Sequence, residues 1–496
     1  MSRRPNIVII NPDQMRADSL AHLGNPASFT PTLDRLAAEG VSFRSAFCQN
    51  PVCTPSRCSF MSGWYPHVAG HRTMTHMMHP GEPVLLKELK DNGYRVWMNQ
   101  RNDLLPAQLP DYEKDYCTDY QQIDSKGDEQ AEPNWRGEEG GKNYYSFFEG
   151  RTTGTKEIDD IFTDGAVDFI NNYDSEQPFC IFLPWMNPHP PYKGMEPYFS
   201  MIDRSKLSER IKAPENYDKL PKMLRGLRER MNMDDWTEEE YDELRAVYLG
   251  QCAKVDDMTE RVLQALKERG FYDNTAVFFF SDHGDFTGDY GVVEKAQNLF
   301  MDCLTNVPFI VKLPKELQEV QQHKGVSGEL TELVDFYATA ADLAQLPQTH
   351  THFGRSLLPY LRGEEEHVRE EVHCEGGFMK GEEHCKERGN APVVSKNSPY
   401  YPRQSLQASD DMYNGKAMMV RTERYKYVRR YYETDELYDL EKDPQELCNR
   451  IDDPDYRDVL ADMKERALDH MLGTADVVPL EKDTRWEPAF MKVMMS

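Results

Sequence analysis

The chain has 496 residues, 39% hydrophobic and 29% charged, which suits a soluble protein with one large domain and a smaller one attached. Its formal charge of -27 argues against nucleic acid and anionic membrane surfaces as partners and weakens a long polyanion as substrate, while a small anion in a locally positive pocket stays compatible. No window reaches the roughly 18 apolar residues of a membrane span, the N-terminal apolar run is too short for a signal segment, and ten scattered cysteines read as mostly free thiols, so a cytoplasmic protein is expected.

Residues 6 to 10 read as a buried, β-branched strand that sets Asp13 and Gln14 at its C-terminal end. Open α/β sheets build sites at that edge, although a loop with capping duty would use the same residues. Thr30-Pro31 through Gly40 has the start and stop of a helix. Val41 to Phe47 reads as a strand leading into Cys53-x-Pro55-Ser56-Arg57, and Arg57 to Ser62 as helix. Cys53 would then stand at or just before a helix N-terminus, where unpaired N–H groups favour an anion. Alone, this cysteine fits a buried structural thiol, a reactive nucleophile or a residue marked for modification.

Val84 to Asn92 reads as a helix, and Gly93 to Met98 as a strand ending in the polar run Asn99 to Asp103. Residues 107 to 160 are acidic and read as a surface excursion bordering the site. Ile158 to Asn172 is a predicted helix, and Phe179 to Leu183 a strand that runs out into His189, fixed between prolines. Residues 193 to 240 form a charged insert, and Glu240 to Gly270 a long amphipathic helix. Strand Ala276 to Phe280 ends in Ser281-Asp282-His283, with Lys295 further on. Asn306 to Pro314 is a last strand, and Leu330 to Ala344 a helix.

Beyond about residue 365 the pairs His373-Cys374 and His384-Cys385 match no zinc template. Met418 to Tyr432 and Glu436 to Leu440 read as antiparallel strands, and 454 to 472 as a helix. The expected fold class is α/β: a large mixed, mostly parallel sheet flanked by helices over 1–370, with a smaller C-terminal α+β domain carrying an antiparallel sheet over 371–496.

Predicted strand ends and loops thus gather Asp13, Gln14, Cys53, Arg101, His189, Asp282, His283 and Lys295. Two carboxylates, an amide oxygen and an imidazole suit a hard or borderline divalent cation. Arg57, Arg101 and Lys295 suit an oxyanion. This is a site for an anionic ester polarised by a metal.

On these residues the chain resembles the type I sulfatases of the alkaline phosphatase superfamily. Cys53-Thr54-Pro55-Ser56-Arg57 with Gly63 matches the family signature. Asp13-Gln14 and Asp282-His283 look like its metal ligands, with residue 53 as a further one, and Asn187-Pro188-His189 and Lys295 like its leaving-group pair. The likeness extends to Thr30–Leu36 and Glu436–Glu446, so it spans nearly the whole chain. It implies an alkaline phosphatase-like fold, arylsulfatase-type hydrolysis, one divalent ion (Ca²⁺ first, Mn²⁺ or Mg²⁺ as alternatives), and conversion of Cys53 to Cα-formylglycine by a separate maturation enzyme. The hydrated aldehyde would attack sulfur, and its second hydroxyl would release sulfate by elimination. Arg57 would orient that group, and His189 and Lys295 would bind sulfate and protonate the leaving oxygen.

Three departures stand out. Asp-Gln replaces the usual Asp-Asp, as in a phosphonate monoester and phosphodiester hydrolase branch. Arg101 and Asp103 replace the Lys and His of a conserved segment, with Asp103 a candidate base for elimination. Asn306 replaces an Arg. The sequence therefore predicts a small sulfate ester as substrate, aryl, steroid-like or a simple sulfated sugar, with Thr73 to His79 as an adaptable Met-containing wall or part of the core. The alternatives are phosphonate or phosphodiester hydrolysis, and an inactive anion-binding protein with an unmodified Cys53. A homo-oligomer is compatible with either.

Overall fold

The computed structural model describes residues 4–109, 111–123, 151–152, 156–214, 220–231, 233–387 and 400–484. Much of the acidic excursion expected at 107–160 lies outside them. Eight strands make the main sheet: β1 (Asn6–Asp13), β2 (Val41–Phe47), β3 (Arg95–Asn99), β4 (Asp119–Gln121), β5 (Phe179–Pro188), β6 (Thr275–Phe280), β7 (Phe309–Lys312) and β8 (Gly325–Glu332). Their spatial order is β8-β2-β7-β6-β1-β5-β3-β4. β7 runs antiparallel to β2 and β6, and the other pairings are parallel.

Successive strand side chains point to opposite faces, so Val8 and Ile10 enter one core and Ile7 and Ile9 another. Both faces are covered, which is why the central strands read as unbroken apolar runs. The covering helices are α1 (Pro31–Glu39), α2 (Cys53–Ser62), α3 (Leu85–Asp91), α4 (Ile158–Asn171), α5 (Lys222–Met231), α6 (Glu238–Glu268) and α7 (Val334–Ala344). α1, α4, α5 and α6 pack into the first core, and α2, α3 and α7 into the second.

A second sheet, antiparallel, runs β9 (Glu371–Gly376), β10 (Ala417–Thr422), β11 (Tyr425–Arg430) and β12 (Glu436–Asp439). Val420, Tyr427 and Leu437 pack with Met463 and Ala467 of the C-terminal helix Arg457–Thr474. From the same sheet Cys374, Met419 and Val428 enter the second core of the main sheet. The helix Tyr401–Ser409 sends Leu406 into the first core, where it packs so closely on α5 that a Cβ at Gly226 would lie 2.8 Å from it. The C-terminal unit is therefore seated on the main domain. Among the described residues no helix is long and apolar enough to cross a membrane.

Several boundaries differ from the sequence reading. Residues 330 to 332 belong to β8, not to a helix, because Leu330, Thr331 and Glu332 pair with Ser45, Ala46 and Phe47 of β2. The helix starts at Val334, and the Asp335 carboxylate accepts the Glu332 N–H at 2.9 Å. β5 continues through Pro184 to Pro188 alongside β1. The stretch 418–432 is a hairpin, with Arg421 opposite Lys426. Its turn, Glu423-Arg424, carries no Gly or Asn to announce it. α6 begins two residues early, where Thr237 and Glu240 form a capping box.

Candidate active site

Cys53 is the first residue of α2 and is 3% exposed. Its Sγ lies 3.4 Å from Asp13 Oδ1, 3.2 Å from His283 Nε2 and 3.3 Å from Lys295 Nζ. Residues so distant in sequence meet because β1 and β6 are parallel neighbours whose C-terminal ends open side by side. The Gln14 N–H donates to Asp282 Oδ1 at 3.1 Å and the Met15 N–H to Ser281 Oγ at 2.7 Å, locking the two ends together. Asp13, Cys53, Asp282 and His283 bring one ligand atom each within 4.8 Å of one another.

Arg57 follows Cys53 by one helical turn and so shares its face. Its Nε donates to Asp282 Oδ2 at 2.9 Å and its Nη2 to Asp13 Oδ2 at 3.1 Å, bridging both carboxylates. Arg101 Nη2 reaches the same Asp13 oxygen at 2.9 Å. Burial alone would raise the Asp13 pKa, but Arg101, Lys295, His189 and Arg57 outweigh it and hold the carboxyl well below its usual range. Burial, then Asp13, pushes the Cys53 thiol well up.

Gln14 is oriented by a residue that the sequence reading passed over. Asp285 accepts from Gln14 Nε2, from Tyr192 Oη at 2.9 Å, and from the Thr287 hydroxyl at 2.8 Å. A carboxylate accepts, so the Gln14 amide nitrogen must face it and Oε1 must face Lys295 Nζ, 2.5 Å away. Burial pushes Asp285 up to about 6 against these hydrogen bonds. Its only sequence signal was its place in Ser281–Asp285.

His189 Nδ1 lies 2.6 Å from the Pro190 carbonyl, which can only accept, so Nδ1 carries the proton. Burial, and next the charge of Lys295, hold the imidazole well below its usual range. Nε2 is then an acceptor, and Tyr400 Oη lies 3.4 Å from it. The Lys295 ammonium loses to burial but gains more from Cys53, Asp13 and Glu294, and keeps its proton. The strand end before His189 is pinned by wholly buried Asp159, which takes the N–H groups of Met186 at 2.8 Å and Asn187 at 2.7 Å. Neither Tyr400 nor Asp159 had a sequence signal.

Asp103 stands apart from the donor cluster. Its Oδ2 lies 3.2 Å from Arg101 Nη1 and its side chain is 35% exposed, so it edges the site rather than floors it. Met78 is buried in the second core, while Met74 and Met77 are half-buried. Asn306 is turned to the Arg44 carbonyl. His373 and Cys374 lie on β9, with the thiol in the core and the imidazole stacked on His470.

A family model described as Sulfatase matches residues 5–346. The chain belongs to the sulfatase family. A second model, described as N-sulphoglucosamine sulphohydrolase, C-terminal, matches residues 379–472 of this sulfatase. It is 26% identical to the multifunctional alkaline phosphatase superfamily protein PehA of Trinickia caryophylli, over 95% of this chain and 96% of that protein. It is 24% identical to the arylsulfatase of Clostridium perfringens, over 92% of each. In fold it is similar to the phosphonate monoester hydrolase of Agrobacterium radiobacter, with a TM-score of 0.74 at 21% identity, covering 97% of this chain and 100% of that one. The sulfatase is thus an enzyme of the sulfuric ester hydrolase class.

The donor set fits the divalent cation that this family uses. Asp13, Asp282, His283 and Gln14 Oε1 offer hard and borderline ligands around residue 53. In the structure the Lys295 ammonium leans into the same space, 3.8 Å from Asp13 Oδ1, as a cation would. Arg57 Nη1 is buried and has no hydrogen-bond partner among the described residues, which leaves a donor for an oxygen at residue 53 or on a bound anion.

Proposed function

We propose that this sulfatase hydrolyses the sulfate monoester of a small molecule, aryl, steroid-like or a simple sulfated sugar, with residue 53 acting as a formylglycine made by a maturation enzyme. The observation that carries this is the convergence of Asp13, Asp282, His283 and Lys295 on one buried side chain, with Arg57 and Arg101 holding the Asp13 carboxylate beside it.

When bound, the cation, Ca²⁺ first and Mn²⁺ or Mg²⁺ next, supplies positive charge that polarises the ester and eases loss of a proton from the attacking hydroxyl. The protein's own groups do the rest. Arg57 holds both carboxylate ligands in place and offers Nη1 to the nucleophile or the sulfate. Arg101 and Lys295 receive the sulfate oxygens, where their charges meet the charge that develops in the transition state. Lys295 carries the proton for the leaving oxygen. His189 is neutral, and its Nε2 serves as a hydrogen-bond acceptor beside the leaving group. Asp103, tied to Arg101 at the rim, stays the candidate base for elimination, acting from the edge of the site.

The test compares kcat/KM for a matched aryl sulfate and aryl phosphonate with enzyme whose residue 53 has been checked by intact mass. Preference for the sulfate with an aldehyde at 53 supports the reading. An unmodified Cys53 from the native host with no turnover of either ester supports an anion-binding protein. Phosphonate or phosphodiester hydrolysis is the second reading. It is favoured by Gln14, which removes one ligand charge, and by the likeness in fold to the Agrobacterium phosphonate monoester hydrolase. A large preference for the phosphonate would establish it.

A further inference from the structure

Between β9 and the helix Tyr401–Ser409, the chain brings the ligand atoms of Glu382, His384 and Cys385 within 4.8 Å of one another. A fourth candidate, His76, comes from the other end of the sequence and stands just outside that group. The His76 ring centre lies 5.8 Å from that of His384, with the planes at 81°. We propose that Glu382, His384, Cys385 and His76 form a second cation site, of zinc type, separate from the cluster around residue 53.

Ligand chemistry comes first. A thiol, two imidazoles and a carboxylate select a borderline cation such as Zn²⁺ over Ca²⁺ or Mg²⁺. The spacings agree. On a tetrahedral zinc ion, bonds of about 2.3 Å to sulfur and about 2.0 Å to oxygen set those atoms about 3.5 Å apart. Cys385 Sγ and Glu382 Oε2 are 3.8 Å apart. Two imidazoles on one such ion would have ring centres roughly 5 Å apart, a small contraction from the observed pair.

The outer contacts are those of a held ligand set. His76 Nδ1 is engaged by Thr73 Oγ1, which leaves Nε2 as the ligand atom. The Glu382 carboxylate is fixed by Arg72 Nη2 at 2.6 Å on Oε1 and by the Met379 N–H at 2.7 Å on Oε2, and an oxygen keeps a second lone pair for the ion. A zinc ion with one thiolate and one carboxylate carries no net charge, so Arg72 meets no excess of positive charge.

Such a site would brace the main active site from outside. It would clip the loop around His76, tied by the Met78 N–H to Leu104 O at 3.0 Å, to the loop around His384. Two residues past Cys385, Glu387 pairs with Arg403 at 2.8 Å, and Arg403 Nη1 donates to the Lys295 carbonyl at 2.9 Å. The two His-Cys pairs of the sequence therefore part company: 373-374 is core, and 384-385 lacks a zinc spacing because its missing ligand lies some 300 residues upstream.

The test uses full-length Cys53→Ser protein, stripped with chelator and titrated with cobalt(II) alone. The expected result is one equivalent giving thiolate-to-cobalt charge-transfer absorption, absent when Cys385→Ser is added and shifted to about tenfold or more higher cobalt by His76→Ala. His384→Ala, at an exposed position, serves as a second variant should Cys385→Ser fail to fold, with circular dichroism as the check. Absorption that survives both the Cys385 and His384 changes, or none at cobalt well above the protein concentration, overturns the site.

Discussion

Arg403 Nη1 donates to the main-chain carbonyl of Lys295 at 2.9 Å, so a residue of the C-terminal unit grips the backbone of the active-site lysine. The same guanidinium pairs with Glu294 and Glu387, all three side chains being almost wholly buried. Arg403→Ala would take the guanidinium from two buried carboxylates, Glu387 and Glu294, the latter keeping only Lys295 at 3.5 Å among the described residues. The expected cost is about 3–5 kcal/mol in urea unfolding, with a fall in kcat/KM from a displaced Lys295. Unchanged stability and activity would contradict the grip.

Tyr400→Phe removes the hydroxyl that faces His189 Nε2. A neutral hydrogen bond of about 1 kcal/mol predicts a loss of about fivefold in kcat/KM for an activated aryl ester. The loss should grow as the leaving alcohol becomes more basic, since proton supply then matters more. A leaving-group series read for both proteins checks this, and parallel plots would assign Tyr400 a packing role only.

Asp285→Ala would free the Gln14 amide to turn its nitrogen inward. Chelation should abolish activity and added divalent metal restore it, and the variant should need roughly 10- to 100-fold more metal for half-recovery. Equal recovery curves would remove Asp285 from the site.

Lys312 gives a pH signature away from the site. Burial, against Glu39 and Asp273, lowers its pKa to about 8, and its Nζ donates to Tyr272 O at 2.6 Å and Thr275 O at 3.0 Å. A lysine with a lowered folded pKa binds fewer protons folded than unfolded between about 8 and about 10.4. Stability from this group therefore rises with pH across that window and is flat below it. The span corresponds to about 3 kcal/mol. Urea unfolding of wild type and Lys312→Met from pH 7 to 10.5 should show the difference between them shifting in favour of wild type as pH rises.

The sequence alone determined the strands whose composition leaves one option. Runs such as Ile7–Ile10 and Phe278–Phe280 are unbroken because both faces of the sheet are buried, and that announces a parallel core in the residues themselves. It also determined the chemical inventory, because the motif around Cys53 and the polar residues closing β1 and β6 lie next to readable elements. The tertiary structure decided what depends on neighbours far along the chain. Residues 330–332 joined β8 instead of opening the predicted helix because β2 offered them a partner. Gln14 received its orientation from Asp285, and His189 its neighbour at Nε2 from Tyr400. Hydrogen bonding and ion pairing across 100 to 300 residues carry no local periodicity, so such contacts leave no mark in the sequence that a window can read.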